Sequence, residues 1–344
     1  MDGRDRTRSR GRTRHWKSWW GASAALLALA LLPAAGIRAD ELPPAADVEP
    51  VAPADDEAAS YVGDAVCLTC HEALHEGFTS QYSETVHAKV LAPQNALNEQ
   101  MARGCEACHG PGSAHVQAGG GKGVGGLLDF DGTSPEEVLA QDSVCLECHR
   151  GGEQRFWTAS VHQNRDVGCT GCHTVMRNVS ERHALTEHTE VGTCGACHPI
   201  QYARRYRNAH MPLRPGAFQS STAVDGKMSC GSCHNPHGTV SQDLIAHISV
   251  RDGCLSCHAE KRGPFLWEHA PVTEDCVNCH DPHGTTRESM LKLGLPRLCT
   301  ACHGTSHAGN SRSATDRFVV GSSCLQCHSQ VHGSNHPSGK ALLR

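Results

Sequence analysis

Large apolar side chains are scarce in this sequence. Aromatic residues make up 4% of the 344 residues, and the whole hydrophobic class makes up 38%. Three of the five tryptophans (Trp16, Trp19 and Trp20) lie close to the N-terminus. A chain of this length ordinarily buries one or two cores of apolar side chains. The shortage excludes that construction unless another apolar group forms the core.

Long apolar runs are missing after residue 39. Before that point, an uncharged apolar run (residues 21–37) follows a basic segment and precedes Ala39, which predicts an export signal over residues 1–39. The run is short for a bilayer span, and a retained leader that anchors the chain is the alternative. No cysteine closely follows the run, which excludes a lipoprotein signal. We therefore expect that the mature protein does not span a bilayer by itself.

Basic residues are fewer than acidic residues in the expected mature chain. A leader with eight basic and two acidic residues leaves 23 Lys and Arg against 34 Asp and Glu, a net charge of −11 with histidine neutral. Nucleic acid is therefore not expected as a partner. Residues 40–60 carry seven carboxylates, no basic residue and many Pro and Ala, which predicts a disordered acidic linker.

No cysteine lies outside one recurring motif. All 20 cysteines belong to ten C-x-x-C-H sequences, the signature of c-type haem attachment. Two thiols three residues apart can each form a thioether with a vinyl group of one porphyrin, and the following His can bind the iron from the proximal side. The cysteine pairs are Cys67/Cys70, Cys105/Cys108, Cys145/Cys148, Cys169/Cys172, Cys194/Cys197, Cys230/Cys233, Cys254/Cys257, Cys276/Cys279, Cys299/Cys302 and Cys324/Cys327. The proximal histidines are His71, His109, His149, His173, His198, His234, His258, His280, His303 and His328.

Two other uses of paired cysteines fit this pattern poorly. Structural zinc would group the motifs into sets of four cysteines, or of three cysteines and a histidine. A disulfide framework would need only the cysteines. Neither use requires a His directly after every second Cys. Ten covalently attached haems c are therefore predicted, and the haems themselves would supply the missing core.

The predicted fold follows from the small amount of chain available to each haem. The fold class is a multihaem cytochrome c that is elongated and mostly coil, with short α-helices and little or no β-sheet. Residues 61–344 are expected to form the decahaem domain, with haems 1–5 in residues 61–229 and haems 6–10 in residues 230–344. Two similar segments start 46 residues apart, at residues 230 and 276, which indicates a duplicated two-haem unit. We expect folding to be coupled to haem attachment, so that the haem-free chain is largely disordered.

The chain also has enough histidine to close the second face of every iron. Fifteen histidines lie outside the motifs, and His15 leaves with the leader, so 14 remain for ten distal positions. A haem with His on both faces has no open coordination site, whereas an open face can bind a substrate. His237, on a Pro-His-Gly turn, is expected to serve a neighbouring haem rather than its own. The predicted distal ligands are His87, His115, His162, His183, His210, His237, His269, His283, His307 and His332.

Some of these ligand positions have rivals. His188 competes with His183, and His336 competes with His332. Met211 is a weaker alternative to its histidine neighbour, and a Met ligand would raise the potential of that haem. The remaining histidines are interpreted as surface or structural residues: His75 and His247.

The groups around a bound imidazole matter as well. Hydrogen-bonded partners normally orient metal-bound histidines. The candidates from the sequence are Glu268 beside His269 and Asp281 near His283.

Several segments resemble one known family. They lie at residues 110–115, 157–162, 209–212, 235–238, 260–272, 281–284 and 331–337. Together with the ten motifs in this order, they resemble the MtrA/DmsE family of periplasmic decahaem cytochromes over nearly all of residues 61–344. The resemblance implies an elongated haem wire that associates with the outer membrane, inserts into a porin-like β-barrel partner there and carries electrons between the periplasm and the cell exterior. Residues 174–177 depart from the family pattern, which leaves open the choice between His183 and His188.

An electron carrier rather than an enzyme is the leading hypothesis for function. Its expected partners are a periplasmic or inner-membrane donor cytochrome and an extracellular multihaem cytochrome, reductase or mineral. A multihaem oxyanion reductase is the first alternative, but it needs an open iron face, and the variant C-x-x-C-K motif is absent from the sequence. A membrane-anchored quinol-oxidising cytochrome is the second alternative, and it requires that the leader is retained.

Overall fold

The described part of the chain comprises residues 59–74, 77–211, 228–304 and 323–343 of a computed structural model. All of these residues belong to one unit, Asp56–Arg344. The predicted signal segment, most of the predicted linker, and the two histidines His75 and His307 lie outside the described residues.

Short helices separated by turns and coil make up the described residues, which confirms the predicted fold class. The α-helices are α1 (Asp64–Leu74), α2 (Phe78–Ser83), α3 (Val86–Leu91), α4 (Glu106–His109), α5 (Ser113–Gln117), α6 (Pro135–Cys148), α7 (Glu190–Cys197), α8 (Pro199–Arg204), α9 (Val250–Cys257), α10 (Ala270–Glu274) and α11 (Arg297–Thr300). Single 3₁₀ turns span Met101–Arg103, Gly152–Phe156, Gln163–Arg165, Cys169–Gly171, Cys230–Ser232, Gln242–Leu244, Ala259–Lys261, Cys276–Asn278, Glu288–Met290, Cys324–Gln326 and Gly339–Ala341. Extended pairing within these ranges is limited to isolated bridges. No helix in the described ranges combines the length and the hydrophobicity needed to cross a membrane.

The longest helix begins at a strong local start signal. α6 has 14 residues, with Pro135 in its first turn and Ser134 as its N-cap. The Ser134 side chain accepts from the backbone N–H of Glu137, and the Glu137 carboxylate accepts from the backbone N–H of Ser134. This capping box satisfies N–H groups that would otherwise lack a partner at the start of a helix. It thereby fixes the N-terminus of α6, which ends within the third motif, at Cys148.

The ten motifs alternate between two local structures along the chain. The odd-numbered motifs lie on α-helices: α1, α6, α7, α9 and α11. Four even-numbered motifs begin the 3₁₀ turns at Cys169, Cys230, Cys276 and Cys324, and the second motif overlaps the short helix α4. In four of the five units, a motif that begins on an α-helix is therefore followed by a motif on a 3₁₀ turn.

In the first three units, a carboxylate joins the two motifs. The backbone N–H of Cys105 donates to Asp64 Oδ1 over 2.8 Å, and the backbone N–H of Cys169 donates to Asp142 Oδ1 over 2.8 Å. In the third unit, the backbone N–H of Gly231 donates to Glu190. Each carboxylate comes from the helix of the odd motif and satisfies an N–H at the start of the even motif, where a short turn leaves it without a backbone partner.

Few apolar side chains are buried in the described residues. The buried hydrophobic residues are Val138, Trp157, Leu185, Val191, Leu255 and Leu342. Six buried side chains are too few to hold a chain of this length, since small cores leave marginal stability. The described residues therefore have the small apolar core that the composition predicts.

Candidate haem-binding cavity

A continuous cavity of about 5610 Å³ takes the place of a packed core. The cysteines and the histidine of all ten motifs line it. Divided among ten motifs, 5610 Å³ gives about 560 Å³ each, which is within the range of about 300–1,000 Å³ for a site that encloses one small organic molecule. The cavity thus has room for a large planar group at every motif.

Eight pairs of histidine rings face each other across this cavity. Their ring centroids are 6.0 to 6.4 Å apart. The pairs are His71–His115, His149–His87, His173–His237, His198–His162, His234–His283, His258–His210, His280–His332 and His303–His269. Each pair contains one motif histidine and one histidine predicted as a distal ligand.

This separation fits an iron between the two rings. Two metal–nitrogen bonds of about 2.0 Å, with roughly 1 Å from each nitrogen to its ring centre, put two imidazoles on one metal about 6 Å apart. The paired rings, the adjacent thiols and the size of the cavity therefore all fit covalently attached haem. His237 faces His173 rather than the histidine of its own motif, His234.

The structure places His183 differently from the other eight predicted distal ligands that lie in the described residues. His183 has a left-handed backbone (φ 63°), and its carbonyl oxygen accepts from His173 Nδ1 over 2.7 Å. Asp243 and Ser289 occupy the same position in two other units, with φ 54° and 53°, and their carbonyl oxygens accept from the local motif histidines. The turn therefore uses the backbone of this position, whichever side chain it carries. The eight facing pairs do not include His183.

The rival histidines also lie apart from the paired rings. His188 Nδ1 contacts the carbonyl oxygen of Val179 at 2.9 Å, and the ring lines a separate cavity of about 620 Å³. His336 Nδ1 accepts from the backbone N–H of Ser338, which puts the proton of a neutral ring on Nε2. His332, by contrast, faces His280 at 6.3 Å.

Two motif histidines are not part of the eight facing pairs: His109 and His328. His109 Nδ1 lies 2.9 Å from the carbonyl oxygen of Leu128, and the ring of Phe130 packs edge-on against it at 5.3 Å. His328 Nδ1 lies 2.6 Å from the carbonyl oxygen of Ala341. Both motif histidines thus contact a backbone carbonyl through Nδ1, as His173, His234 and His280 do in the paired sites.

Backbone carbonyls set the tautomer of five motif histidines, those of the even-numbered motifs. The acceptors are Leu128, His183, Asp243, Ser289 and Ala341, at 2.6 to 2.9 Å from Nδ1 of His109, His173, His234, His280 and His328. A proton held on Nδ1 leaves the lone pair of Nε2 for a metal. Sequence reasoning missed these partners because every residue type carries a backbone carbonyl.

Distal histidines of different sites are connected through the backbone. His162 Nδ1 lies 2.8 Å from the carbonyl oxygen of Pro236, next to His237. His269 Nδ1 lies 3.0 Å from the carbonyl oxygen of Val331, next to His332. The same arrangement joins two further predicted ligands, since His210 Nδ1 lies 3.5 Å from the carbonyl oxygen of Pro282, beside His283. Each contact therefore orients one distal ring against the segment that carries the next.

The two carboxylates proposed from the sequence have different surroundings. Asp281 Oδ1 accepts from the backbone N–H of His283 and lies 3.7 Å from His283 Nδ1. The Nδ1 nitrogen of His269 instead contacts the carbonyl oxygen of Val331. Of the two, Asp281 is the carboxylate that the structure brings to the distal ring beside it.

Thiols of consecutive motifs adjoin each other in an alternating pattern. Burial, with the neighbouring Cys276 thiol, raises the pKa of Cys254 to about 12. First cysteines also meet at Cys67/Cys105, Cys145/Cys169, Cys194/Cys230 and Cys299/Cys324. Second cysteines of the even-numbered motifs interact electrostatically with a cysteine of the next motif, in the pairs Cys108/Cys145, Cys172/Cys197, Cys233/Cys257 and Cys279/Cys302. The ten sites therefore follow one another through the cavity in sequence order.

One cluster could be mistaken for a separate metal site. Glu190, Cys194 and Cys230 have ligand atoms within 4.8 Å of one another. Both cysteines belong to C-x-x-C-H motifs, and the carboxylate already accepts from the backbone of Gly231. The cluster is thus the junction of two consecutive attachment motifs.

Comparisons with known proteins agree with this geometry. Residues 222–263 and 269–308 match the family described as "Doubled CXXCH motif", and residues 105–197 match "Cytochrome c-type protein NrfB-like". The chain is 40% identical over 288 residues to "Multiheme cytochrome MtrA" of Shewanella baltica (strain OS185), which covers 81% of this chain and 80% of that protein.

Two relatives from Geobacter sulfurreducens match over a shorter part. "C-type polyheme cytochrome OmcB" is 26% identical over 186 residues, and "C-type polyheme cytochrome OmcC" is 25% identical over 204 residues. The chain covers only 20% and 22% of their respective lengths. The extent and identity of the match to the Shewanella protein, with the motifs that line the cavity, show that the chain belongs to the MtrA family of multihaem c-type cytochromes.

Proposed function

We propose that this chain is a periplasmic electron-transfer protein in which ten haems c, each bound by two histidines, form one continuous chain. The observation that carries the proposal is the set of eight facing histidine pairs at 6.0 to 6.4 Å. Imidazoles on both faces leave no coordination position for a substrate, so the site supports charge relay rather than catalysis at iron.

The residues of the chain have separate tasks in this proposal. Each cysteine pair fixes the position of one ring, and the facing imidazoles close its two axial positions. The backbone carbonyls at Nδ1 orient the imidazoles and increase their basicity. When bound, haem c supplies reversible one-electron iron chemistry. Because the thiols of consecutive motifs adjoin in sequence order, neighbouring haems would lie close enough for transfer from the first site to the last.

The location and partners that we propose rest on the resemblance and on the leader. We infer that residues 1–39 direct export to the periplasm, where the chain associates with the outer membrane. A porin-like β-barrel would enclose it there. A periplasmic or inner-membrane cytochrome would donate or accept electrons on one side, and an extracellular multihaem cytochrome, a reductase or a mineral would do so on the other.

Haem content and spin state of the purified protein test the core of the proposal. Intact mass should show ten covalent haems, and the electron paramagnetic resonance spectrum of the oxidised protein should contain only low-spin iron. His237→Ala is the positive control, because it removes one facing ring and should convert one haem in ten to a high-spin form that binds carbon monoxide. A stoichiometric high-spin signal in the unsubstituted protein would instead support an enzyme with an open iron.

A further inference from the structure

Three of the facing pairs are close structural copies of one another. The pairs His173–His237, His234–His283 and His280–His332 have ring planes within 11°, 12° and 18° of parallel. Their motif histidines all contact a carbonyl oxygen of a left-handed turn, at 2.7, 2.8 and 2.7 Å. Each distal histidine is followed by a glycine with positive φ. The three sites therefore allow a comparison in which most of the geometry is constant.

The first two sites differ at the residue two positions before the distal histidine. At the His237 site this residue is Asn235, whose Oδ1 lies 3.1 Å from His237 Nδ1. At the His283 site it is Asp281, whose Oδ1 lies 3.7 Å from His283 Nδ1. Both side chains also accept from the backbone N–H of the distal histidine, at 3.1 Å. A neutral amide thus faces one ring and a carboxylate faces the other.

Arg204 fixes the carboxylate in place. Its Nη1 lies 2.8 Å from Asp281 Oδ2, while Oδ1 remains on the His283 side. The Asp281 side chain is only 21% exposed and that of Arg204 is 40% exposed. The turn is held from the same direction, because a Cβ at Gly284 would meet the carbonyl oxygen of Arg204. The negative charge therefore has one defined position beside the ring.

A carboxylate near Nδ1–H makes an imidazole a stronger electron donor to its metal. Stronger donation stabilises the ferric form and lowers the reduction potential, and partial burial strengthens the effect of the charge. Arg204 offsets part of this charge. The amide of Asn235 carries no charge, so the His237 ring has no carboxylate at the position that Asp281 occupies beside His283.

We propose that Asp281, held by Arg204, is a positioning residue that sets the potential of the haem between His234 and His283 below that of the haem between His173 and His237. This inference rests on the proposed function, because it requires both haems to be ligated by these facing rings. Each transfer moves one electron to or from the iron, with no bond made or broken. The chain would thus contain a potential step at a defined site.

Reciprocal substitutions test the step by redox titration of the intact ten-haem protein. Asp281→Asn should move about one tenth of the absorbance change, that of one haem in ten, to higher potential. We expect the ratio of oxidised to reduced haem at a given potential to change at least tenfold, which corresponds to a shift of about 59 mV for one electron. Asn235→Asp should move about one tenth to lower potential. Arg204→Gln should also lower the potential of one haem, because it leaves the carboxylate uncompensated.

Asp243→Asn is the matched control. It removes the same charge near the same haem, but it retains the backbone carbonyl that contacts His234 Nδ1, and Asn also tolerates the left-handed turn. We expect a clearly smaller shift than for Asp281→Asn. Equal shifts would mean that net charge, rather than the position of Asp281, sets the potential.

Spin state separates this inference from the proposed function. If Asp281→Asn and Asn235→Asp both titrate like the unsubstituted protein while all ten haems stay low-spin, the role of Asp281 is refuted and the ligation stands. If the unsubstituted protein shows high-spin iron, the ligation itself is wrong. If Asp281→Asn loses a haem, Asn235→Asp still decides, because it leaves Asp281 and Arg204 unchanged and adds a carboxylate beside His237.

Discussion

Removal of the Asp142 carboxylate should destabilise the unit that joins the third and fourth motifs. Asp142 is 1% exposed and accepts two hydrogen bonds. Trp157 Nε1 donates to one oxygen over 2.9 Å, and the backbone N–H of Cys169 donates to the other over 2.8 Å. The carboxylate therefore connects a buried aromatic ring to the turn that starts the fourth motif.

The magnitude follows from the groups that each substitution leaves without a partner. Asp142→Ala leaves two N–H groups with no acceptor, at about 1–3 kcal/mol each, so the free energy of unfolding should fall by about 2–6 kcal/mol. Asp142→Asn keeps one carbonyl acceptor but turns an NH₂ toward the other donor, which should cost about 1–3 kcal/mol.

Guanidinium unfolding of the haem-loaded protein measures these differences. The Soret band reports loss of axial ligation, and far-ultraviolet circular dichroism reports loss of the helices. Asp166→Asn is the control, because Asp166 is exposed with a left-handed backbone (φ 57°) that Asn tolerates. It should change the free energy by no more than about 0.5 kcal/mol. A change below about 1 kcal/mol for Asp142→Ala would refute the assigned role of the carboxylate.

Three further predictions concern a ligand, a turn and an acid-sensitive contact. His183→Asn should retain ten low-spin haems, because Asn tolerates the left-handed turn and the carbonyl to His173 remains; a new high-spin haem would instead identify His183 as a ligand. Gly284→Ala should lower the unfolding midpoint more than Gly123→Ala, because both have positive φ but only the first Cβ would meet backbone, at Arg204; equal effects in thermal unfolding would contradict the close approach. Burial alone would raise the pKa of Glu106, but donation from the backbone N–H groups of Val62, Gly63 and Gly112 holds it below its usual value. Because the pKa is lowered on folding, this contribution is present above the unfolded pKa of about 4.3 and is lost as pH falls through the folded value. Glu106→Gln should therefore reduce the pH dependence of stability below about pH 4.5, as measured by unfolding at pH 3–6, and an unchanged dependence would exclude this carboxylate.

The predicted distal histidines show what sequence reasoning can supply and where it has too little information. Composition and histidine count predicted a second imidazole for each iron, and eight of the predicted distal histidines face a motif histidine. The partner of each could not be predicted, because His237 reaches back to His173 and His87 reaches forward to His149. Such pairings depend on how several turns pack, and local spacing does not contain that information.

Attachment chemistry was determined by the sequence alone. The two thiols and the histidine of C-x-x-C-H lie within one turn, so their spacing specifies a haem site whatever surrounds it. The shortage of large apolar side chains likewise required a core made of something else. Only the tertiary structure decided which histidine rings face each other, that Asp142 and Arg204 each join segments distant in sequence, and that the first thiols of paired motifs lie together. These features depend on backbone carbonyls and on contacts between distant residues, which form only when the chain has folded.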